Sequence, residues 1–261
     1  MPGNLSPDSL SSGIGLRRWF ATAPGAAVAI LEQQSAREIL ADLFGYHILQ
    51  LGDPSPVTLL EHSRISHRVV IAGSVAEGEK VSLLATPDQL PIEPNSIDVV
   101  VLPHTLDLAS NAHGVLRETE RVLIGDGYVV ILGFNPWSSF GLWRHALGWR
   151  GHAPWSGRFL SLARLKDWLG LLGFDIERIE RTSFRPPINS ARWHHRLEFI
   201  ERLGSYFWPI FGNVYVVLAR KQIATVTPIR ARWAKRTRLG NVIEPTARQA
   251  GLRSELRRED P

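Results

Sequence analysis

The chain has 261 residues, a formal net charge of +5, 44% hydrophobic residues and no cysteine. Thiol catalysis, disulfides and cysteine-ligated zinc are thereby excluded, and a reducing cytosol is the expected compartment. The length suits one α/β domain with appendages. No stretch approaches the roughly 20 apolar residues of a membrane helix, so no membrane partner is expected.

Residues 1–15 are small and polar without a period, and are expected to be disordered. Arg17 and Arg18, followed by W-F-A-T-A-P-G-A-A-V-A-I-L, imitate a leader, but Pro24 and Gly25 interrupt the run and Glu32 closes it. Residues 17–44 therefore read as a helix entering the domain, or as two helices split at Pro24-Gly25. Val28, Leu31, Ser35, Ile39, Leu40 and Leu43 form its inner face. Short apolar strands follow at 47–52, 68–72 and 81–85, and then a proline-rich loop, T-P-D-Q-L-P-I-E-P-N-S.

Residues 97–136 carry the clearest pattern. Ile97 and the run Val99 to Leu102 suit a strand covered on both faces. Val115, Leu116, Thr119, Val122 and Leu123 recur at helical spacing, while Arg117, Glu118, Glu120 and Arg121 face water. Gly125 and Gly127 are expected to close this helix and to supply positive φ in the turn before the strand Y-V-V-I-L-G-F. This is a β-α-β crossover, which predicts a parallel sheet with helices on both faces.

Residues 136–155 are rich in tryptophan and glycine and read as a long functional loop with a helical turn. A helix is predicted over 158–174, a strand over 174–184, a helix over 191–208 and a last strand over 214–221. Residues 220–261 hold 11 Lys/Arg against 4 Asp/Glu, so the excess positive charge sits in the tail. Within it, Arg230, Arg232, Lys235, Arg236 and Arg238 surround one tryptophan, a composition that can contact RNA phosphates or a protein partner, although most such tails are simply solvated. His194 and His195 have no third ligand at metal spacing on their helix, so no metal is expected.

Three segments carry a resemblance: L-P-I-E-P-N-S-I-D-V-V-V-L-P-H-T-L-D-L, R-E-T-E-R-V-L-I-G-D-G-Y-V-V-I-L-G, and the late L-L-G-F. The chain resembles class I S-adenosylmethionine-dependent methyltransferases, and within them the type 11 methyltransferase domain, over roughly residues 40–220. The resemblance implies a Rossmann-like, mostly parallel, doubly wound sheet of seven strands with an antiparallel last strand. It implies S-adenosylmethionine as cofactor, held at the carboxyl ends of the first four strands. The organisation expected is a disordered 1–15, a methyltransferase-like domain over 16–221 with a helical insertion at about 185–212, and a basic tail over 222–261.

The first motif departs from the family's acidic residue and Gly-x-Gly-x-Gly. Gln50 stands for the acid, Gly52 is the surviving glycine, and Asp53 is followed by two nearby prolines that lack N–H donors. The strings Leu-Gln-Leu-Gly and Gly-Phe-Asn-Pro-Trp-Ser look like a bacterial subgroup sharing this weakened motif. Ala72 ends the second strand where a carboxylate would meet the ribose, and Glu77 comes several residues too late. Asp88, Gln89 and Leu90 stand where family members contact adenine, and Thr-Pro-Asp also reads as an ordinary turn.

Pro103, His104 and Thr105 follow the fourth strand, where cofactor and acceptor would meet. His104 would line that pocket or act as a general base. Asp107 would orient it or cap the next helix. Asn135 and Trp137 would contact substrate from their loop, or simply pack it. Asp98 reads as structural. The function implied is methyl transfer to an unidentified acceptor. The alternative is a non-catalytic member of the fold that binds a protein or RNA through its tail.

Overall fold

The computed structural model describes residues 7–52, 59–73, 81–147, 154–184 and 211–222, all within the compact unit Met1–Ala224. The expected helix at 191–208, nearly all of the insertion, the basic tail with Arg230 to Arg238, Asp53 and Glu77 lie outside the described residues.

Helix α1 spans Pro7–Phe20 and helix α2 spans Ala23–Ala41. The expectation of disorder through residue 15 is therefore corrected from Pro7 onward. The polar start of α1 has no amphipathic period of its own. The helix is held at its other end, where Leu16, Trp19 and Phe20 are buried against Val28, Phe134, Phe140 and Val214. The break between α1 and α2 follows from local chemistry. The Thr22 hydroxyl donates to the Trp19 carbonyl at 2.6 Å and accepts the Gly25 N–H, while Pro24 occupies the first turn of α2. A Cβ at Gly25 would stand 2.2 Å from the Trp19 carbonyl oxygen, so only glycine permits this close crossing.

The strands are β1 (His47–Leu51), β2 (His67–Ala72), β3 (Leu83–Leu84), β4 (Ile97–Pro103), β5 (Leu123–Phe134), β6 (Phe174–Thr182) and β7 (Val214–Lys221). They form one sheet in the order β3-β2-β1-β4-β5-β7-β6. The pairs from β3 to β5 are parallel, and β7 runs antiparallel to both β5 and β6. Between the strands lie α3 (Thr105–Leu108), α4 (Ala112–Val122), α5 (Ser139–Leu147) and α6 (Leu162–Leu171). The loop expected at 136–155 thus contains a nine-residue helix.

Strand alternation sorts the core into two layers. Val99, Val101, Val130, Leu132 and Val216 face Ile39 and Leu40 of α2. Val100, Leu102, Val129, Ile131 and Val217 face Val115 and Leu116 of α4 and Leu165 and Leu169 of α6. Where β4 meets β5 the register slips: Ile97 pairs with Leu123, but Val99 pairs with Tyr128. The Gly-Asp-Gly segment bulges there inside β5 and does not form a turn before it. The positive φ falls on Asp126 (65°), not on Gly125 or Gly127, which corrects the sequence expectation. Gly127 is favoured instead by close approach, since a Cβ would stand 3.0 Å from the Asp98 carbonyl. Asp98 is structural as expected: one carboxylate oxygen accepts the Tyr46 and His47 N–H groups and fixes the start of β1.

Candidate functional site

In this strand order the chain leaves β1 toward β2 and leaves β4 toward β5, so the loops after β1 and β4 diverge. Open α/β sheets bind ligands in the crevice so formed. Gly52 closes β1 there with a φ of 107°, a conformation that side chains disfavour. A Cβ on it would lie 2.5 Å from the Thr105 hydroxyl oxygen, and that hydroxyl donates to the Leu51 carbonyl. The ends of β1 and β4 are thereby stitched together. Gln50, two residues earlier, is only 4% exposed, and its side-chain amide makes no hydrogen bond among the described residues. Ala72 is fully buried at the end of β2.

Asp88 and Gln89 lie in a tight turn, closed by the Thr86–Gln89 bridge, as the turn chemistry predicts. Leu90 is buried, and α4 pins its backbone. Its N–H donates to Glu118 at 2.7 Å, and its carbonyl accepts from Arg121. The Arg121 hydrogen bond holds the Glu118 carboxyl below its ordinary range against the opposing effect of burial, and the Leu90 N–H adds to it. The Asp88–Leu90 segment is therefore fixed against α4.

His104 is the most constrained residue at this end of the sheet. Its backbone is left-handed (φ 53°), its ring stacks on Phe134 at 4.0 Å, and it is 1% exposed. Nε2 lies 2.8 Å from a Glu32 carboxylate oxygen and Nδ1 lies 3.2 Å from Asp107. Burial alone would lower its pKa. The Glu32 charge, with hydrogen bonds to Asp107 and Glu32, outweighs burial and raises it to about 9. At neutral pH His104 is an imidazolium, and both N–H groups donate to carboxylates. Asp107 also accepts the Phe134 and Leu160 N–H groups, so it ties β5 and the segment before α6 to the same cluster. Burial, reinforced by the Asp107 charge, pushes the nearby Tyr215 phenol well above its usual value; its hydroxyl donates to the Leu160 carbonyl.

Sequence reasoning missed Glu32, which it read only as the end of an apolar run. The available signal was its spacing: Glu32 lies four residues after Val28 and seven before Ile39, on the buried stripe of α2. Leu31, expected on that stripe, is half-buried. Asn135 is buried in a loop clasp. Its amide nitrogen donates to the Gly212 carbonyl, and its side-chain oxygen accepts the Trp137 N–H. Trp137 itself is exposed. The structure thus brings Gln50, Gly52, Pro103, His104 and Thr105 together around the β1–β4 switch point.

Comparison with known proteins bears on this geometry. A family described as "Methyltransferase domain" matches residues 53–131. The uncharacterized protein YafS of Escherichia coli (strain K12) is 34% identical over 185 residues, covering 71% of this chain and 72% of YafS. The chain belongs to the type 11 methyltransferase-domain family. Solved members of the wider fold superpose across most of the chain. An S-adenosylmethionine-dependent methyltransferase from Thermotoga maritima is 17% identical, with a TM-score of 0.54 over 78% of this chain and 94% of that one. One from Archaeoglobus fulgidus is 18% identical, with a TM-score of 0.53 over 74% and 93%. The [4+2]-cyclase SpnF also shares the fold, at 16% identity and a TM-score of 0.50 over 76% and 82%. Sheet topology alone therefore does not fix the chemistry of a protein with this fold.

Proposed function

We propose that the chain is an S-adenosylmethionine-dependent methyltransferase. The observation that carries this reading is Gly52, whose positive φ and close approach to Thr105 close β1 at the β1–β4 switch point, with the buried Gln50 two residues before it. An amide both donates and accepts, which suits the amino-acid end of the cofactor. Leu90 offers an apolar face and Asp88 an acceptor for an adenine amino group. Ala72 and Gly73 offer no carboxylate to the ribose, so binding leans on β1 and on the Asp88–Leu90 edge.

The cofactor, when bound, supplies a methyl group already activated on a positively charged sulfur. What the chain must add is proximity and orientation. Gly52 and Thr105 hold the ends of β1 and β4 at fixed separation. Leu90, anchored to Glu118 and Arg121, keeps the adenine edge from drifting. His104 has both ring nitrogens committed as donors, leaving no lone pair for a proton. It is therefore a positioning residue and not a general base. Asn135 serves its loop, and Trp137 is left as the surface member of the expected substrate pair.

Calorimetry with the full chain tests the reading. S-adenosylmethionine and its demethylated product should both bind. Gly52→Ala should weaken them about tenfold through backbone strain of 1–3 kcal/mol, and Asp88→Ala should weaken them with the melting temperature unchanged. No binding at millimolar ligand overturns it. The absence of a ribose carboxylate at Ala72-Gly73 favours the second reading, a non-catalytic protein that engages RNA or a protein partner through Arg230 to Arg238, and that result would leave it standing.

A further inference from the structure

The carboxyl end of β5 gathers large apolar side chains on the surface. Trp137 is 73% exposed, Leu142 71%, Phe211 54% and Trp143 36%. Two clasps bring them together. Asn135 joins the Trp137 N–H to the Gly212 carbonyl, beside Phe211. The Asn213 side-chain oxygen accepts from the Ser139 hydroxyl and the Phe140 N–H, and so fixes the start of α5. Helix α5 buries Phe140 and turns Leu142 and Trp143 outward, the reverse of a helix built only to cover a core.

The stretch of chain that carries α5 has charge of one sign. Residues 127–166 contain no Asp or Glu, while they carry Arg144, Arg150, Arg158, Arg164 and Lys166 together with four tryptophans. Arg144 bonds the Gly157 carbonyl and lies over the Phe159 ring, which sets the exposed Arg158 beside α5. Nucleic acid would satisfy the cations but would gain little from Leu142 and Phe211. An anionic bilayer surface satisfies both, because indole and aliphatic groups partition to the interface while Arg meets the lipid phosphates.

We propose that this face docks on an anionic phospholipid bilayer, lying on the membrane without crossing it. No helix among the described residues is long and apolar enough to cross one; the sequence expectation of no membrane partner rested on that criterion, and surface docking departs from it. The docking is independent of whether methyl transfer occurs.

Sedimentation with vesicles tests it. The full-length protein should co-sediment with phosphatidylglycerol-containing vesicles, bind at least tenfold less to pure phosphatidylcholine, and be released by salt. Trp137→Ser with Leu142→Ser, which leaves every cation and the tail in place, should weaken binding about tenfold or more. Hydrogen exchange in the unmodified protein should show residues 137–146 protected by the anionic vesicles. The proposal is overturned if the protein stays in the supernatant, if it binds both lipids equally, or if the folded double variant binds as well as the parent. A concentration-dependent dimer that the variant dissolves, with no vesicle binding, also overturns it.

Discussion

Glu32, His104 and Asp107 are each about 1% exposed, and together they bury two carboxylates around one imidazolium. Removing the cation would leave two buried acids facing each other, and removing one acid would leave the cation half-paired. Truncating one member of a buried pair typically costs about 3–5 kcal/mol. His104→Ala and Glu32→Leu should each lower the denaturation midpoint accordingly. The pH dependence has a definite sign. His104 has a pKa of about 9 when folded, against 6.5 as an isolated side chain. Folding therefore takes up a proton between these values. The stabilisation is complete below pH 6.5 and is lost as pH rises through 9. Urea titrations from pH 6 to 9.5 should show the parent losing stability of the order of a few kcal/mol. If His104→Asn, which tolerates the left-handed backbone, shows the same slope, the cluster is not its source.

At the scale of elements, the α1–α2 pair behaves as a cap bolted to the sheet's carboxyl end. Gly25→Ala places a methyl group against the Trp19 backbone, which cannot yield as a flexible side chain can. Backbone displacement there should loosen α1 while β4 and β5 stay intact. Hydrogen exchange should show faster exchange confined to residues near Trp19 and Phe20, and a uniform loss of protection would contradict it. The same contrast explains what the sequence could tell. Strands β1, β4, β5 and β7 are legible because their apolar runs need no partner to be recognised. Helix α1 is not, because its opening residues carry no period and its anchors Trp19 and Phe20 act through distant Phe134 and Phe140. Gly52 and Pro103–Thr105 are legible as residues of the switch-point loops because each follows an apolar run that ends a strand. Glu32 is not, since it meets His104 across 72 residues of chain. The Gly-Asp-Gly bulge misleads for a related reason: sequence reports which residues tolerate positive φ, and the β4–β5 register decides which one adopts it.

For the molecule as a whole, the His104 cluster links three regions: helix α2 through Glu32, strand β5 and the Leu160 segment through Asp107, and the crevice through its neighbour Thr105, which bonds the end of β1. A ligand seated between β1 and β4 should therefore sense the charge on His104 even without touching it. Cofactor affinity should be level to about pH 8 and fall as pH rises through 9, where the imidazolium deprotonates and its two N–H contacts become one. By linkage, cofactor binding should take up a fraction of a proton near pH 9, measurable as a buffer-dependent heat. His104→Asn should bind more weakly at pH 7 and lose the fall near pH 9. A purely structural role would lower the variant's melting temperature while leaving affinity and its pH profile unchanged. A parent whose affinity stays constant from pH 7 to 10 would separate the cluster from the crevice altogether.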